Sequence, residues 1–209
     1  EDFSPTTDDE VVALLARARS ERTDREHRGE RPPPRQSERV LVPVRRDVKI
    51  PAGERLLDGR LTVPPDARGL VIFAHGSGIT RHNPQPQYVA CRLQQAGLAT
   101  LLFDLLTEEE EMLDAQTAHL RFDIPLLASR LVAATEWAHA QPEVRGLDIG
   151  YFGASTGAAA ALVAAAQRPD LVHAIVSRGG RPDLAEEWLD KVQAPTLLLV
   201  GGLDADVLT

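Results

Sequence analysis

Short apolar runs alternate with helical segments over most of this 209-residue chain, and this alternation constrains the fold more than any other feature. Strands are predicted at residues 70–74, 98–105, 147–152, 172–176 and 196–200, with helices between them at 84–97, 124–140, 156–167 and 184–192. Residues 40–50 and 56–63 form an expected antiparallel pair that precedes them, joined by a turn at Pro51-Ala52-Gly53. The pattern predicts the α/β class, with a mostly parallel, doubly wound sheet and helices on both faces.

Residues 107–123 interrupt this rhythm and are predicted as a loop. The segment carries four consecutive glutamates at 108–111, followed by Asp114 and His119. Loops at the carboxyl ends of strands border the site in doubly wound sheets. Two interpretations therefore stay open, a solvated acidic loop and a lid over a pocket.

The segment Gly153-Ala154-Ser155-Thr156-Gly157 stands between a predicted strand and an alanine-rich helix. Glycines on both sides of Ser155 permit a sharp strand-to-helix turn, which lifts the serine hydroxyl above the sheet edge. The start of the helix adds free N–H groups and the positive end of its dipole. The pattern predicts Ser155 as a catalytic nucleophile. A tight turn before a buried helix is the alternative.

A second motif, His75-Gly76-Ser77-Gly78, directly follows the predicted strand at 70–74. Enzymes that transfer acyl groups need N–H donors aimed at the oxyanion of the tetrahedral intermediate. We predict the backbone N–H groups of Ser77 and Thr156 as these donors, with Gly76 and Gly78 allowing a close approach of the loop. His75 is interpreted as a structural support of this oxyanion loop.

Asp204 follows the last apolar run, where a carboxylate can orient a catalytic histidine. Asp206 is a near competitor, and two solvated loop carboxylates are the alternative. The base is expected after this acid in the chain. All six histidines precede Asp204, so none stands where the base is expected: His27, His75, His82, His119, His139 and His173.

Four side chains are candidates for substrate contact: Arg81, His82, His119 and Arg178. Either arginine could hold an anionic group of a substrate, and surface ion pairing is the alternative for both. The two histidines lie in predicted loops that could face the pocket. No His/Cys cluster has the spacing of metal ligands, so we expect neither a metal nor another cofactor.

Composition narrows the class of partner. The formal net charge of -8 argues against general nucleic-acid binding. No apolar run approaches the roughly 20 residues that a membrane-spanning helix needs. Cys91 is the single cysteine, so an internal disulfide is impossible and a cytoplasmic location is expected. A small molecule is the expected partner.

Two parts are expected along the chain. Residues 1–38 combine a helix at 7–26 with an Arg- and Pro-rich linker, and residues 39–209 form the main domain. The first residue is Glu1, the single methionine is Met112, and the last predicted strand has no closing helix after it. We therefore expect both ends to be truncated.

Five segments in order resemble the dienelactone hydrolase-like branch of the α/β-hydrolases, over residues 57–209. They are Phe73-Ala74-His75-Gly76-Ser77-Gly78, Leu120-Arg121-Phe122-Asp123-Ile124, Gly150-Tyr151-Phe152-Gly153-Ala154-Ser155-Thr156-Gly157, Ser177-Arg178-Gly179-Gly180-Arg181-Pro182 and Val200-Gly201-Gly202-Leu203-Asp204. The resemblance implies an α/β-hydrolase fold that lacks its C-terminal element. Dienelactone hydrolases proper use a cysteine nucleophile, so Ser155 favours a serine esterase or lactonase. The family's catalytic histidine and final helix would follow Asp204 and are absent from these 209 residues.

The opening Glu1-Asp2-Phe3-Ser4 and the helix after it resemble the tail of a bacterial phosphoribosyltransferase domain, known in fusions with such hydrolases. This resemblance implies a covalent fusion in the parent protein. The expected function is cleavage of a carboxylic ester or lactone through an acyl-enzyme. The alternative is a non-catalytic α/β-hydrolase domain or fragment, with the parent activity, a phosphoribosyltransferase, elsewhere.

Overall fold

The computed structural model describes residues 42–76 and 78–202, and these residues form an α/β fold around one mixed sheet. The strands are β1 (Val44–Ala52), β2 (Arg55–Val63), β3 (Gly69–Ala74), β4 (Ala99–Phe103), β5 (Asp148–Ser155), β6 (Val172–Gly180) and β7 (Thr196–Leu199). The helices are α1 (Pro84–Gln95), α2 (Glu108–Thr117), α3 (Ile124–His139), α4 (Thr156–Gln167) and the short α5 (Glu186–Leu189). The helix and linker predicted before residue 39 lie outside the described residues.

The sheet order is β1-β2-β4-β3-β5-β6-β7. Strands β1, β2 and β4 pair antiparallel, and every pair from β4 to β7 is parallel. The predicted fold class is therefore confirmed, including the antiparallel strand pair at the start. Within the described residues, no helix has the length and apolar character that crossing a membrane requires.

Helices cover both faces of the sheet because successive strand residues point to opposite sides. Ile72, Leu101 and Tyr151 belong to the core that α3 and α4 cover. Their neighbours in the chain belong to a second core that α1 covers: Phe73, Leu102 and Phe152. Helix α4 is buried from residue 156 through residue 165, and its many alanines let it pack close to the sheet.

The prediction of a loop at residues 107–123 is wrong, because α2 occupies its first part. Thr107 and Glu110 form a capping box: Glu110 accepts from the Thr107 N–H at 2.9 Å, and the Glu110 N–H donates to the Thr107 hydroxyl at 3.4 Å. The acidic side chains in the first turn also stabilise the helix, because they lie near the positive end of its dipole. Arg130 of α3 then donates to both Glu110 carboxylate oxygens at 2.6 Å, which ties α2 to the main body.

The sheet order also fixes where a site forms. Strand β3 lies between β4 and β5 in the sheet. The chain therefore passes from β3 to β4 on one side of it and later returns to β5 on the other side. Open α/β sheets bind ligands at such a reversal, outside the carboxyl ends of the strands. Ala74 at the end of β3 pairs with Gly153 near the end of β5. The two predicted motifs therefore meet at this crevice.

Candidate active site

Ser155 sits at the turn between β5 and α4 and is exposed. Its backbone has φ of 51° and ψ of −128°, a conformation that a residue with a side chain seldom adopts. Backbone strain of this kind persists only where the surroundings enforce it, and it concentrates at functional sites. The strained turn presents the serine hydroxyl to solvent at the carboxyl edge of the sheet.

The glycines on either side of Ser155 make this turn sterically possible. A Cβ atom at Gly153 would stand 2.5 Å from the Ala158 Cα atom. A Cβ atom at Gly157 would overlap the Ala74 carbonyl oxygen. Side chains are thus excluded at both positions by backbone atoms, which cannot move aside as a flexible side chain would. The Gly-x-Ser-x-Gly spacing is a requirement of this geometry.

Gly76 brings the loop after β3 against the nucleophile. A Cβ atom at Gly76 would lie 2.9 Å from the Ser155 Cβ and 3.6 Å from the Ser155 Oγ. The backbone at Gly76 therefore lies next to the serine. Oxyanion holes need such proximity, since their donors act over 2.7–3.1 Å from the developing charge.

Thr156 begins α4 immediately after the nucleophile. The side chain of Ser155, the N-cap residue, makes no capping hydrogen bond, and the first N–H groups of a helix have no partner within the helix. The Thr156 side chain is buried, and its hydroxyl lacks a hydrogen-bond partner among the described residues. The sequence predicts the backbone N–H of Thr156 as one oxyanion donor, and Thr156 is the first residue of α4.

His75 is buried beneath the loop and packs against Phe73, with 6.0 Å between the ring centroids. Its Nε2 atom has no hydrogen-bond partner in the described part of the chain. Burial lowers the pKa of His75 to about 4, so the ring is neutral at physiological pH. A buried, neutral ring matches a structural support more closely than a general base.

Two of the predicted site residues, Ser77 and Asp204, lie outside the described residues, as does Asp206. Gly78 is described and adopts φ of 71°, a left-handed conformation that favours glycine. The described residues also contain no hydrogen bond between Ser155 and a histidine. His173 lies at the opposite end of the strands, 3.8 Å from Asp148 at the start of β5. Asp148 and Ser155 are seven residue steps apart along β5, which is about 23 Å.

Arg81 is engaged in ion pairs. Its backbone N–H donates to Asp104 at 2.7 Å, its guanidinium also bonds the Asp104 carboxylate, and Asp58 lies 3.9 Å away. Asp104 immediately follows β4. Of the two interpretations of Arg81, the observed contacts favour ion pairing.

The predicted contact residues His82 and His119 are both exposed. Their backbones make hydrogen bonds: the His82 N–H donates to the Thr80 hydroxyl, and the His119 N–H donates to the Thr117 hydroxyl. A hydrogen bond from Arg60 lowers the pKa of Asp47 in β1, and the charges of Arg81 and His82 contribute.

Arg178 lies in β6 beside the nucleophile turn, since it pairs with Ala154 in the sheet register. The Gln85 amide group finds suitable partners for both its oxygen and its nitrogen when the oxygen faces Arg178. In this orientation the oxygen accepts from the two terminal guanidinium nitrogens of Arg178 at 2.8 and 2.9 Å. Gln85 belongs to the first turn of α1. Of the four candidate contact residues, Arg178 is the one that the sheet register places beside Ser155.

Sequence reasoning missed Asp104 and Gln85. Asp104 had a signal, because a carboxylate directly after a buried strand reaches the same sheet edge as the motifs at 75–78 and 153–157. Gln85 had none, since nothing local distinguishes it from any polar residue on a helix surface.

Known proteins resemble this chain in sequence and in structure. A family model described as "Dienelactone hydrolase family" matches residues 57–208. The crystal structure of a dienelactone hydrolase from Anabaena variabilis is 60% identical, has a TM-score of 0.76, and shares an alignment that covers 79% of this chain and 77% of that one.

Two curated relatives, from two strains of Mycobacterium tuberculosis, are provisionally named phosphoribosyl transferases. Each is 52% identical over 207 residues, which is 99% of this chain and 44% of the relative. The chain thus spans less than half the length of these relatives. A dienelactone hydrolase-like promiscuous phosphotriesterase from metagenomic libraries is 21% identical, with a TM-score of 0.58 over 79% of this chain and 74% of that one. This last likeness concerns the fold alone.

Proposed function

This chain belongs to the dienelactone hydrolase family, and we propose that it is a serine hydrolase that cleaves a carboxylic ester or lactone through an acyl-enzyme. Ser155 is the nucleophile. The observation that carries the proposal is the strained, exposed turn at Ser155, with Gly76 packed against it. A serine held at φ of 51° solely to begin a helix would be an unexplained cost in stability.

The reaction follows from this geometry. The Ser155 Oγ attacks the ester carbonyl carbon and loses its proton to a histidine, and the carbonyl oxygen becomes an oxyanion. Backbone N–H groups of Thr156 and Ser77 hold that oxyanion. The C–O bond to the leaving group then breaks, and the histidine returns the proton to the departing oxygen. Water attacks the acyl-enzyme by the same steps in a second half-reaction and regenerates Ser155.

The remaining roles are proposals of the same kind. Asp204 orients the catalytic histidine and stabilises its charged form. His75, Gly76 and Gly78 shape the loop that carries the Ser77 donor. Arg178 contacts the substrate beside Ser155, and no cofactor takes part.

The wider setting is also a proposal. Residues 39–209 are the hydrolase domain, residues 1–38 are an N-terminal helix and linker, and the parent is a cytoplasmic fusion with a phosphoribosyltransferase. The names and lengths of the Mycobacterium tuberculosis relatives support the fusion. A second candidate is a non-catalytic hydrolase domain, favoured by the lack of a hydrogen bond between Ser155 and any histidine in the described residues.

The two candidates differ in burst kinetics. The complete gene product that contains this sequence is mixed with p-nitrophenyl acetate. Nitrophenol release is followed over time, and mass spectrometry of the protein detects its acetylation. A serine hydrolase gives a burst and an acetyl group on Ser155, both lost in Ser155→Ala. Ser129→Ala is a matched control on an exposed helix position and keeps both. Equal turnover in wild type and Ser155→Ala would refute the proposal.

A further inference from the structure

Residues 78–83 lead from the nucleophile site to the start of α1 and are held by local hydrogen bonds. The Ile79 N–H donates to the Gly76 carbonyl at 3.2 Å. The Asn83 side-chain oxygen accepts from the Thr80 N–H at 2.8 Å and from the Thr80 hydroxyl at 3.0 Å. These bonds shape the segment, but they do not fix it to the sheet.

The attachment to the sheet runs through Arg81. One carboxylate oxygen of Asp104 accepts from the Arg81 backbone N–H at 2.7 Å, and the other bonds the Arg81 guanidinium. The Arg81 carbonyl in turn accepts from the Gln87 side chain of α1 at 3.1 Å. Both backbone polar groups of Arg81 therefore have partners. The Asp104 side chain, directly after β4, binds both the backbone and the guanidinium of Arg81.

Asp104 is itself firmly placed. Its N–H donates to the Asp58 carbonyl at 2.9 Å, which extends the pairing of β4 with β2 by one residue. The side chains of Asp104 and Arg81 are 12% and 21% exposed, so solvent screens their charges less than those of a surface pair. Charge-assisted hydrogen bonds in such surroundings are short and strong.

We propose that Asp104 is a positioning residue for the oxyanion loop. It holds Arg81, and through Arg81 it sets the place of the segment that brings Gly76 against Ser155. The assignment rests on the proposed serine hydrolase function. It gives Arg81 a structural part in the loop instead of contact with the substrate.

A positioning role has a kinetic signature that a stabilising role lacks. Oxyanion donors act in the transition state and barely touch the bound ester, so displacing them lowers kcat and leaves KM unchanged. A misplacement of about 1 Å is enough to cost about 100-fold in rate. A residue that only stabilised the fold would lower the melting temperature and leave kcat of the folded fraction unchanged.

The test compares four variants of the complete gene product in ester hydrolysis. Asp104→Ala removes both bonds to Arg81, and kcat should fall about 10- to 100-fold at constant KM. Asp104→Asn keeps an acceptor for the Arg81 N–H, and Arg81→Ala keeps the backbone bond, so both should lose less. Asp58→Ala is the control, since its carboxylate lies 3.9 Å from Arg81 and its backbone bond to Asp104 persists. It should keep kcat within about two-fold, as expected for an exposed ion pair.

Hydrogen exchange of wild type and Asp104→Ala gives a readout that needs no activity. Amides of residues 78–83 should exchange faster in the variant, while those of β5 and α4 keep their rates. Unchanged exchange in this segment would overturn the proposal, as would unchanged kcat in all three Asp104 and Arg81 variants, or a rise in KM alone. An inactive wild type would refute the serine hydrolase function, and hydrogen exchange would still decide whether Asp104 holds the loop.

Discussion

Gly76 touches Ser155: a Cβ atom added to the glycine would stand 2.9 Å from the Cβ of the serine. The contact joins two motifs that lie 79 positions apart in the sequence. It exists because β3 and β5 are parallel neighbours whose carboxyl ends coincide, with Ala74 opposite Gly153. The nucleophile and the loop expected to hold the oxyanion therefore form one unit.

This contact predicts the effect of a single methyl group. Gly76→Ala forces the loop away from Ser155, and kcat should fall by about 10-fold or more, because oxyanion donors must stay within a few tenths of an ångström of their place. Steady-state ester hydrolysis measures it. Gly146→Ala is the control: its Cβ atom meets nothing within 4 Å, and its φ of 79° makes it a costly site for alanine too. It should lose stability but keep kcat, and an equal loss of kcat in both variants would contradict the account.

The pKa of His75, lowered to about 4 by burial from its ordinary value of 6.5, predicts a pH-dependent stability. As the pH falls below 6.5, His75 becomes protonated in the unfolded chain, whereas in the folded chain it stays neutral until about pH 4. The free energy of unfolding should therefore fall over this window, by about 3 kcal/mol in total from this group, and level off below it. Above the window the contribution is complete.

Urea unfolding at several pH values measures this dependence in wild type and in His75→Gln. The variant lacks the imidazole, so its free energy of unfolding should fall less over the same range. His139→Gln, at an exposed position, serves as control and should follow wild type. Parallel curves for wild type and His75→Gln would contradict a buried neutral ring.

Strand and helix patterning predicted most of the fold, because burial of alternating faces leaves a local trace in the sequence. The helix predicted at 156–167 coincides with α4, and the strands at 70–74 and 196–200 match β3 and β7 within one residue. The steric demands of Gly153 and Gly157 are equally local, since both follow from a turn whose residues adjoin. Features of this kind can be read without knowing the rest of the structure.

Contacts between residues that are distant in the sequence could not be predicted in this way. Helix α2 was not predicted because its mostly polar sequence has no apolar face. A long-range contact between Glu110 and Arg130 helps to hold it to the fold. The four glutamates therefore suggested a loop. The bond between Asp104 and Arg81 likewise depends on β4 and the loop after β3 ending at one edge. Residues 23 positions apart leave no periodic signal of such a contact.

A buried hydroxyl pair under the nucleophile strand predicts a coupled loss of stability. Tyr151 of β5 lies 2.6 Å from the Thr135 hydroxyl of α3, which donates to the Leu131 carbonyl at 2.8 Å. The tyrosine therefore donates to the threonine. Tyr151→Phe should lower the free energy of unfolding by about 1 kcal/mol, and Thr135→Val by about 1–3 kcal/mol, because the valine leaves the buried tyrosine hydroxyl unpaired.

The double variant separates the bond from the packing. Once Tyr151 has lost its hydroxyl, Thr135→Val removes only the bond to Leu131, so the two losses should add up to more than the loss in the double variant. Urea unfolding of all four proteins gives the coupling. Strict additivity would show that the two hydroxyls do not interact.

The central claim is that Ser155 is an activated nucleophile, and labelling by a fluorophosphonate probe tests it most directly. The complete gene product that contains this sequence is treated with the probe beside Ser155→Ala and Ser129→Ala. The account predicts one covalent label, on Ser155, in wild type and in Ser129→Ala, and none in Ser155→Ala. An unlabelled wild type, or a label that persists in Ser155→Ala, would contradict it.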